Sequence, residues 1–163
     1  MRYADGPTVQ RDVLIDAPVE RIWELVTDIG LPARFSSEFT GASWLDHGPR
    51  VGARFVGRNA HTALGKWQTT SYVSRFEPMR AFAWDVSDPD HPSASWWFEL
   101  TPEPGGVRLR QGARIGPAPS GLTFAISAMP DKEERIIARR LAEFERNLEA
   151  TLEGIKRLAE VDR

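Results

Sequence analysis

The stretch Asp131-Lys132-Glu133-Glu134-Arg135-Ile136-Ile137-Ala138-Arg139-Arg140-Leu141-Ala142-Glu143-Phe144-Glu145-Arg146-Asn147-Leu148-Glu149-Ala150-Thr151-Leu152-Glu153-Gly154-Ile155-Lys156 decides the fold. Ile137, Leu141, Phe144, Leu148, Leu152 and Ile155 recur at steps of three or four, which draws one apolar stripe along a single helix. Asp131 followed by Glu134 resembles a capping box at its start. The other face is rich in Arg and Glu and reads as solvated. Burying the stripe would contribute on the order of 10–15 kcal/mol, an upper bound because unfolded chains are themselves partly compact. Such a helix must lie on a large apolar surface, and only a sheet built from the rest of the chain is large enough.

That sheet is legible upstream. Residues 8–16 alternate, with Val9, Val13 and Ile15 on one face and Gln10, Asp12 and Asp16 on the other, the pattern of a strand. Asp16-Ala17-Pro18 then opens a helix whose stripe is Ile22, Trp23, Leu25 and Val26, and Gly30 and Pro32 end it. Six further strands are predicted at 39–46, 51–59, 65–76, 80–86, 94–102 and 107–115. Turn residues punctuate them: His47-Gly48-Pro49, Glu77-Pro78, Ser87-Asp88-Pro89-Asp90 and Pro104-Gly105-Gly106. Links this short make an antiparallel meander, since a parallel crossover needs a dozen or more residues. The apolar run 120–129, which includes Phe124 and Met129, is expected to form a helical turn or a lid, interrupted at Pro130. The expected class is therefore α+β, a curved antiparallel sheet of about seven strands around a long C-terminal helix, in one domain over residues 1–163.

Alternation also says which side chains face the helix. They are Ala53, Phe55, Gly57 and Asn59, then Trp67, Thr69, Ser71 and Val73. Phe82, Trp84 and Val86 follow, then Trp96, Phe98 and Leu100, and finally Val107, Leu109, Gln111, Ala113 and Ile115. This inner face is aromatic and aliphatic, broken by four uncharged polar residues: Asn59, Thr69, Ser71 and Gln111. Mostly apolar walls with a few polar groups describe a small-molecule pocket, whereas an ordinary core would pair those groups with one another or with backbone. Both readings stand at this level. The same holds for Trp67, Trp84 and Trp96, which make either an aromatic wall for a flat ligand or plain packing against Ile137, Leu141 and Phe144. The expected ligand-binding set is Phe55, Asn59, Trp67, Thr69, Ser71, Phe82, Trp84, Trp96, Phe98, Gln111, Phe124, Met129, Ile137 and Leu141.

Composition narrows the chemistry. The 163 residues contain no cysteine, which removes disulfides, thiolate metal sites and a cysteine nucleophile and fits a reducing cytoplasm. A net charge of −2 with both signs interspersed gives no footprint for nucleic acid, and no apolar run approaches a membrane span. The first residues lack the apolar core of a signal peptide, so a cytoplasmic location is expected. His47, His61 and His91 fall in or near turns without ligand spacing and read as solvated, so no metal and no cofactor are expected. No serine has a hydrolase elbow, and no glycine loop would cradle phosphate. Asp85 and Glu99 sit on the outer face, out of reach of a ligand, so no catalytic residue is assigned. Trp97 also points outward, where another subunit or the N-terminal arm would cover it, which leaves a homodimer open.

Three segments carry a family resemblance. Val13-Leu14-Ile15-Asp16-Ala17-Pro18-Val19-Glu20-Arg21-Ile22-Trp23-Glu24-Leu25-Val26-Thr27-Asp28 resembles the strand-to-helix opening of START-like (SRPBCC) proteins, the polyketide cyclase/dehydrase and lipid-transport superfamily. Gly65-Lys66-Trp67 with Val73, Glu77-Pro78 and Phe82-Ala83-Trp84-Asp85-Val86 resembles the central hairpin of its bacterial members. Asn147-Leu148-Glu149-Ala150-Thr151-Leu152-Glu153-Gly154-Ile155-Lys156 is similar to their closing helix. The resemblance spans about 8–160. It implies the helix-grip (START/Bet v 1-like) fold with a cavity between sheet and helix. It leaves function open, since this fold hosts carriers, receptors, cyclases and chaperone activators. Binding of a hydrophobic small molecule such as a lipid, polyketide or aromatic metabolite is the first expectation. A polyketide aromatase/cyclase and a protein-interaction module are the alternatives.

Overall fold

Alternating strands joined by glycine- and proline-bearing turns form one seven-stranded antiparallel sheet in the computed structural model, which describes residues 1–161. The strands are β1 (Thr8–Ile15), β2 (Phe39–Trp44), β3 (Arg54–His61), β4 (Gly65–Glu77), β5 (Ala81–Val86), β6 (Ala94–Glu103) and β7 (Gly106–Ile115). Their order is β1-β7-β6-β5-β4-β3-β2, so β2 to β7 run as a meander and β1 pairs with its last strand. β1 and β2, neighbours in sequence, thus lie at opposite edges. The connection between them, helix α1 (Val19–Val26) and a 3-10 turn at Leu31–Arg34, crosses from one edge to the other.

A short helix α2 (Gly121–Ala128) and the long helix α3 (Glu133–Val161) complete the chain. Ile137, Phe144, Leu148, Leu152 and Ile155 are buried, as the stripe requires, and α3 packs along β1, β7 and α1. Gly154 lies within its C-terminal half because the Phe35 ring sits where a Cβ would stand, 2.5 Å away. A glycine normally weakens a helix interior; here it lets the segment after α1 close against α3.

Two expectations need correction at this level. β3 begins at Arg54 rather than Val51, because Gly52 takes a left-handed backbone conformation (φ +89°) and turns the chain. Asp131 does not cap α3, since a 3-10 turn at Pro130–Lys132 precedes that helix and contains it. Trp97, expected to lie under another subunit or the N-terminal arm, meets neighbours within the chain. Its ring lies against Gly112, where an added Cβ would stand 2.3 Å away, and its Nε1–H donates to Gln10 Oε1 at 3.3 Å.

The inner faces follow the alternation through all five strands from β3 to β7. A bulge after Val73 shifts β4 by one residue and returns Phe76 to the inside, against Trp23 and Phe82. Buried side chains gather in two clusters. One, around α1, joins Ile15, Ile22, Trp23, Leu100, Leu109, Leu152 and Ile155. The other, toward α2, joins Tyr3, Val9, Ala113, Ile115, Ile137, Phe144 and Leu148.

Candidate functional site

A chamber of about 130 Å³ lies between α3 and the middle of the sheet. Phe55 from β3, Phe82 and Trp84 from β5, Phe98 from β6 and Phe144 and Leu148 from α3 supply its apolar walls. Their rings interlock edge-on or tilted: Trp84 lies 5.7 Å from Phe55, 5.3 Å from Phe82 and 6.2 Å from Phe98. Trp84 is therefore both core and wall, since tilted aromatic packing leaves other ring surface for the chamber. Asn59, Thr69, Ser71, Gln111, Asn147 and Thr151 bring the polar groups.

A larger outer chamber of about 470 Å³ continues from it beneath α2. Asn59, Thr69, Val86, Trp96, Phe144 and Glu38 line both, while Trp67, Leu122 and Arg140 belong to the outer one. Trp96 stands at the junction, its ring 4.9 Å from that of Phe144. Of the fourteen residues expected from sequence, the inner chamber brings together Phe55, Asn59, Thr69, Ser71, Phe82, Trp84, Trp96, Phe98 and Gln111, and the outer one adds Trp67.

Four lie elsewhere, for physical reasons. Leu122 and Ile126, one helical turn apart, pack α2 against the second cluster, which turns Phe124 to the opposite face, 82% exposed. Met129 follows the end of α2 and is 42% exposed. Ile137 is buried with Tyr3, Val9, Ala113 and Ile115, and Leu141 packs on that same cluster, so neither lines a chamber.

At the edge of the chambers, reached by Glu38 and Arg140, stands a charged network that the sequence did not announce. Arg140 on α3 donates from Nη1 and Nη2 to the two oxygens of Glu38, at 2.6 and 2.7 Å, and from Nη1 to Glu143 Oε1 at 3.4 Å. Its side chain is only 9% exposed and its guanidinium lies 4.7 Å from the Phe144 ring. His61, at the end of β3, closes the network. The Ala63 N–H donates to His61 Nδ1 at 3.0 Å, so Nε2 carries the hydrogen and donates to Glu143 Oε2 at 2.6 Å. His61 is thus a half-buried pin between hairpin and helix, not a solvated loop residue. Burial works against the Glu143 carboxylate, but the His61 hydrogen bond and the Arg140 charge outweigh it and hold its titration below the usual carboxylate range.

The signal for Arg140 was present. It lies three residues after Ile137 and four before Phe144, on the stripe itself, and a charged residue there must find a buried partner. Glu38 sits in an aperiodic segment, where no pattern could pair it. Asp85 and Glu99 do face outward, where Asp85 accepts from Ser95 Oγ at 2.7 Å and Glu99 from Arg75 at 3.3 Å. Among the described residues no three His, Cys, Asp or Glu side chains gather to hold a metal. Nor does any helix there have the length and apolarity to cross a membrane.

A curved sheet gripping a long helix with a lined chamber between them defines the helix-grip class. The family model described as "Polyketide cyclase / dehydrase and lipid transport" matches residues 7–160, and the chain belongs to that family. A polyketide-cyclase-like protein of Corynebacterium glutamicum, solved by NMR, is 33% identical over 95% of this chain and 92% of its own, with a TM-score of 0.66. The di-domain ARO/CYC protein BexL of the BE-7585A biosynthetic pathway has a TM-score of 0.71 at 16% identity. It is covered over 50% of its length and shares 95% of this chain. A Deinococcus radiodurans protein aligns over 96% of this chain and 100% of its own, at 15% identity and a TM-score of 0.64. The last two likenesses concern the fold alone. No match was found among curated proteins.

Proposed function

We propose that this protein binds a hydrophobic small molecule in the two connected chambers, ring or chain against the aromatic walls and polar groups on the inner polar residues. The observation that carries this reading is the inner face itself. Phe55, Trp84, Phe98 and Phe144 surround a space into which Ser71, Gln111 and Thr151 bring polar groups from three different elements. Mostly apolar walls with a few convergent polar groups suit an uncharged or amphipathic guest. The family description, which joins polyketide chemistry with lipid transport, supports the same class of ligand. Native mass spectrometry of protein purified from its own host tests it: a co-purifying hydrophobic compound is expected. Only the bare polypeptide mass, with no lipid, polyketide or aromatic compound retained in repeated preparations, would count against it.

A second reading, cyclase-type catalysis, is favoured by one feature. Of the carboxylates lining the two chambers, Glu38 borders both. Its two oxygens already accept from Arg140, so its part would be to fix that guanidinium beside the guest, and proton transfer would need the pair to part. Turnover of a poly-β-ketone by the wild type, lost in Glu38→Gln with binding retained, would establish this reading. Binding without turnover would leave the first one standing.

A further inference from the structure

We infer that the inner chamber selects a single planar ring bearing a neutral hydroxyl, a phenol-type group, held by the side-chain amide of Gln111; this rests on the binding function proposed above. Size comes first. A chamber of about 130 Å³ is close to the engineered apolar cavity of about 150 Å³ that takes up benzene. One six-membered ring matches that volume against the walls formed by Trp84, Phe98 and Phe144, while a fused ring system or folded acyl chain would have to extend into the outer chamber.

Polarity comes second. Gln111 projects from β7 into this chamber, its residue 5% exposed, and its Oε1 has no hydrogen-bond partner among the described residues. A buried amide oxygen left without a partner is unfavourable, and this one belongs to a side chain that lines the chamber. A hydroxyl both donates and accepts, so it satisfies the carboxamide whichever of its ends turns to the chamber. An alkyl chain or a bare ring offers neither. Charge comes third. The charged side chains bordering the chamber are the carboxylates of Asp28 and Glu38, the latter already paired with Arg140, and no Lys or Arg among the described residues lines the chamber to hold an anionic guest such as a ring carboxylate.

The probes are phenol and toluene, which share size and shape and differ by the hydroxyl. Their dissociation constants would be measured by isothermal titration with the wild-type chain and with Gln111→Leu. The ratio of the toluene to the phenol constant is expected to fall about tenfold in Gln111→Leu, the loss of one hydrogen bond. Toluene binding should persist in the variant, which shows that it folds; Gln111→Met serves in its place if Gln111→Leu does not. A ratio unchanged within about twofold would overturn the inference while leaving the binding function intact. Binding of neither probe by the wild type would also overturn the inference, while the binding function would still be decided by the co-purifying compound. An independent readout needs no variant: the Gln111 side-chain amide signals in nitrogen-15 spectra should shift with phenol more than with toluene, and equal shifts would contradict the assignment.

Discussion

Leu109 and Gln111 stand two residues apart on β7, face the same side of the sheet, and meet opposite surroundings. Leu109 is fully buried in the apolar cluster around α1, opposite Leu100 on β6. Gln111, opposite Phe98, looks into the chamber. The same change runs along β4, from Val73 in the packed cluster to Ser71 and Thr69 on the chamber wall. One end of the grip is solid and supplies stability; the other is hollow and gives up packing to leave room. The division lies within single strands, so neither half forms without the other.

That contrast can be broken experimentally, and the charged network gives the largest expected effect. Arg140→Leu would leave Glu38 and Glu143 half-buried without their cation, at a cost of about 4 kcal/mol in denaturant unfolding. Adding Glu38→Leu should recover part of the loss, because the uncompensated charge is then removed too. An Arg140→Leu variant as stable as wild type would mean that the network does not join the chamber's edge to α3.

Next in size is Leu109→Ala, expected to cost about 3 kcal/mol as a fully buried leucine in a packed cluster. If its cost were no larger than that of a substitution at the chamber wall, the solid half would not be solid. The pH dependence sharpens the role of Glu143. Its folded titration lies below the unfolded value, so its contribution is present above the usual carboxylate range and disappears as pH falls through the folded value. Wild type should therefore exceed Glu143→Gln in stability at neutral pH, with the gap closing in acid; a gap that widens on acidification would reverse the sign. Smallest is Gln111→Leu. It removes an unpartnered buried amide and should change stability by less than about 1 kcal/mol, or raise it.

Much of this was legible because strands carry a strict two-residue period. Trp84, Trp96, Phe98 and Gln111 could be placed inward from their neighbours alone, and five strands in register brought them to one wall. The helices gave less. In α2 nearly every residue is apolar, so periodicity could not say that Leu122 and Ile126 would pack and Phe124 would turn outward. On α3, reading the Arg/Glu face as solvated hid Arg140, whose partner Glu38 is about a hundred residues away in a segment without pattern. His61 looked like a loop residue because β3 runs past Asn59 to reach it. Long-range polar pairing follows from tertiary packing, and no local period encodes it.

The sheet and α3 leave usable apolar space beside Trp84, Phe98 and Phe144. Xenon enters such cavities, so a crystal of the protein pressurised with xenon gives the most direct test. A xenon peak among those three rings is the expected result. Side chains meeting across that space, with no peak there, would contradict the account.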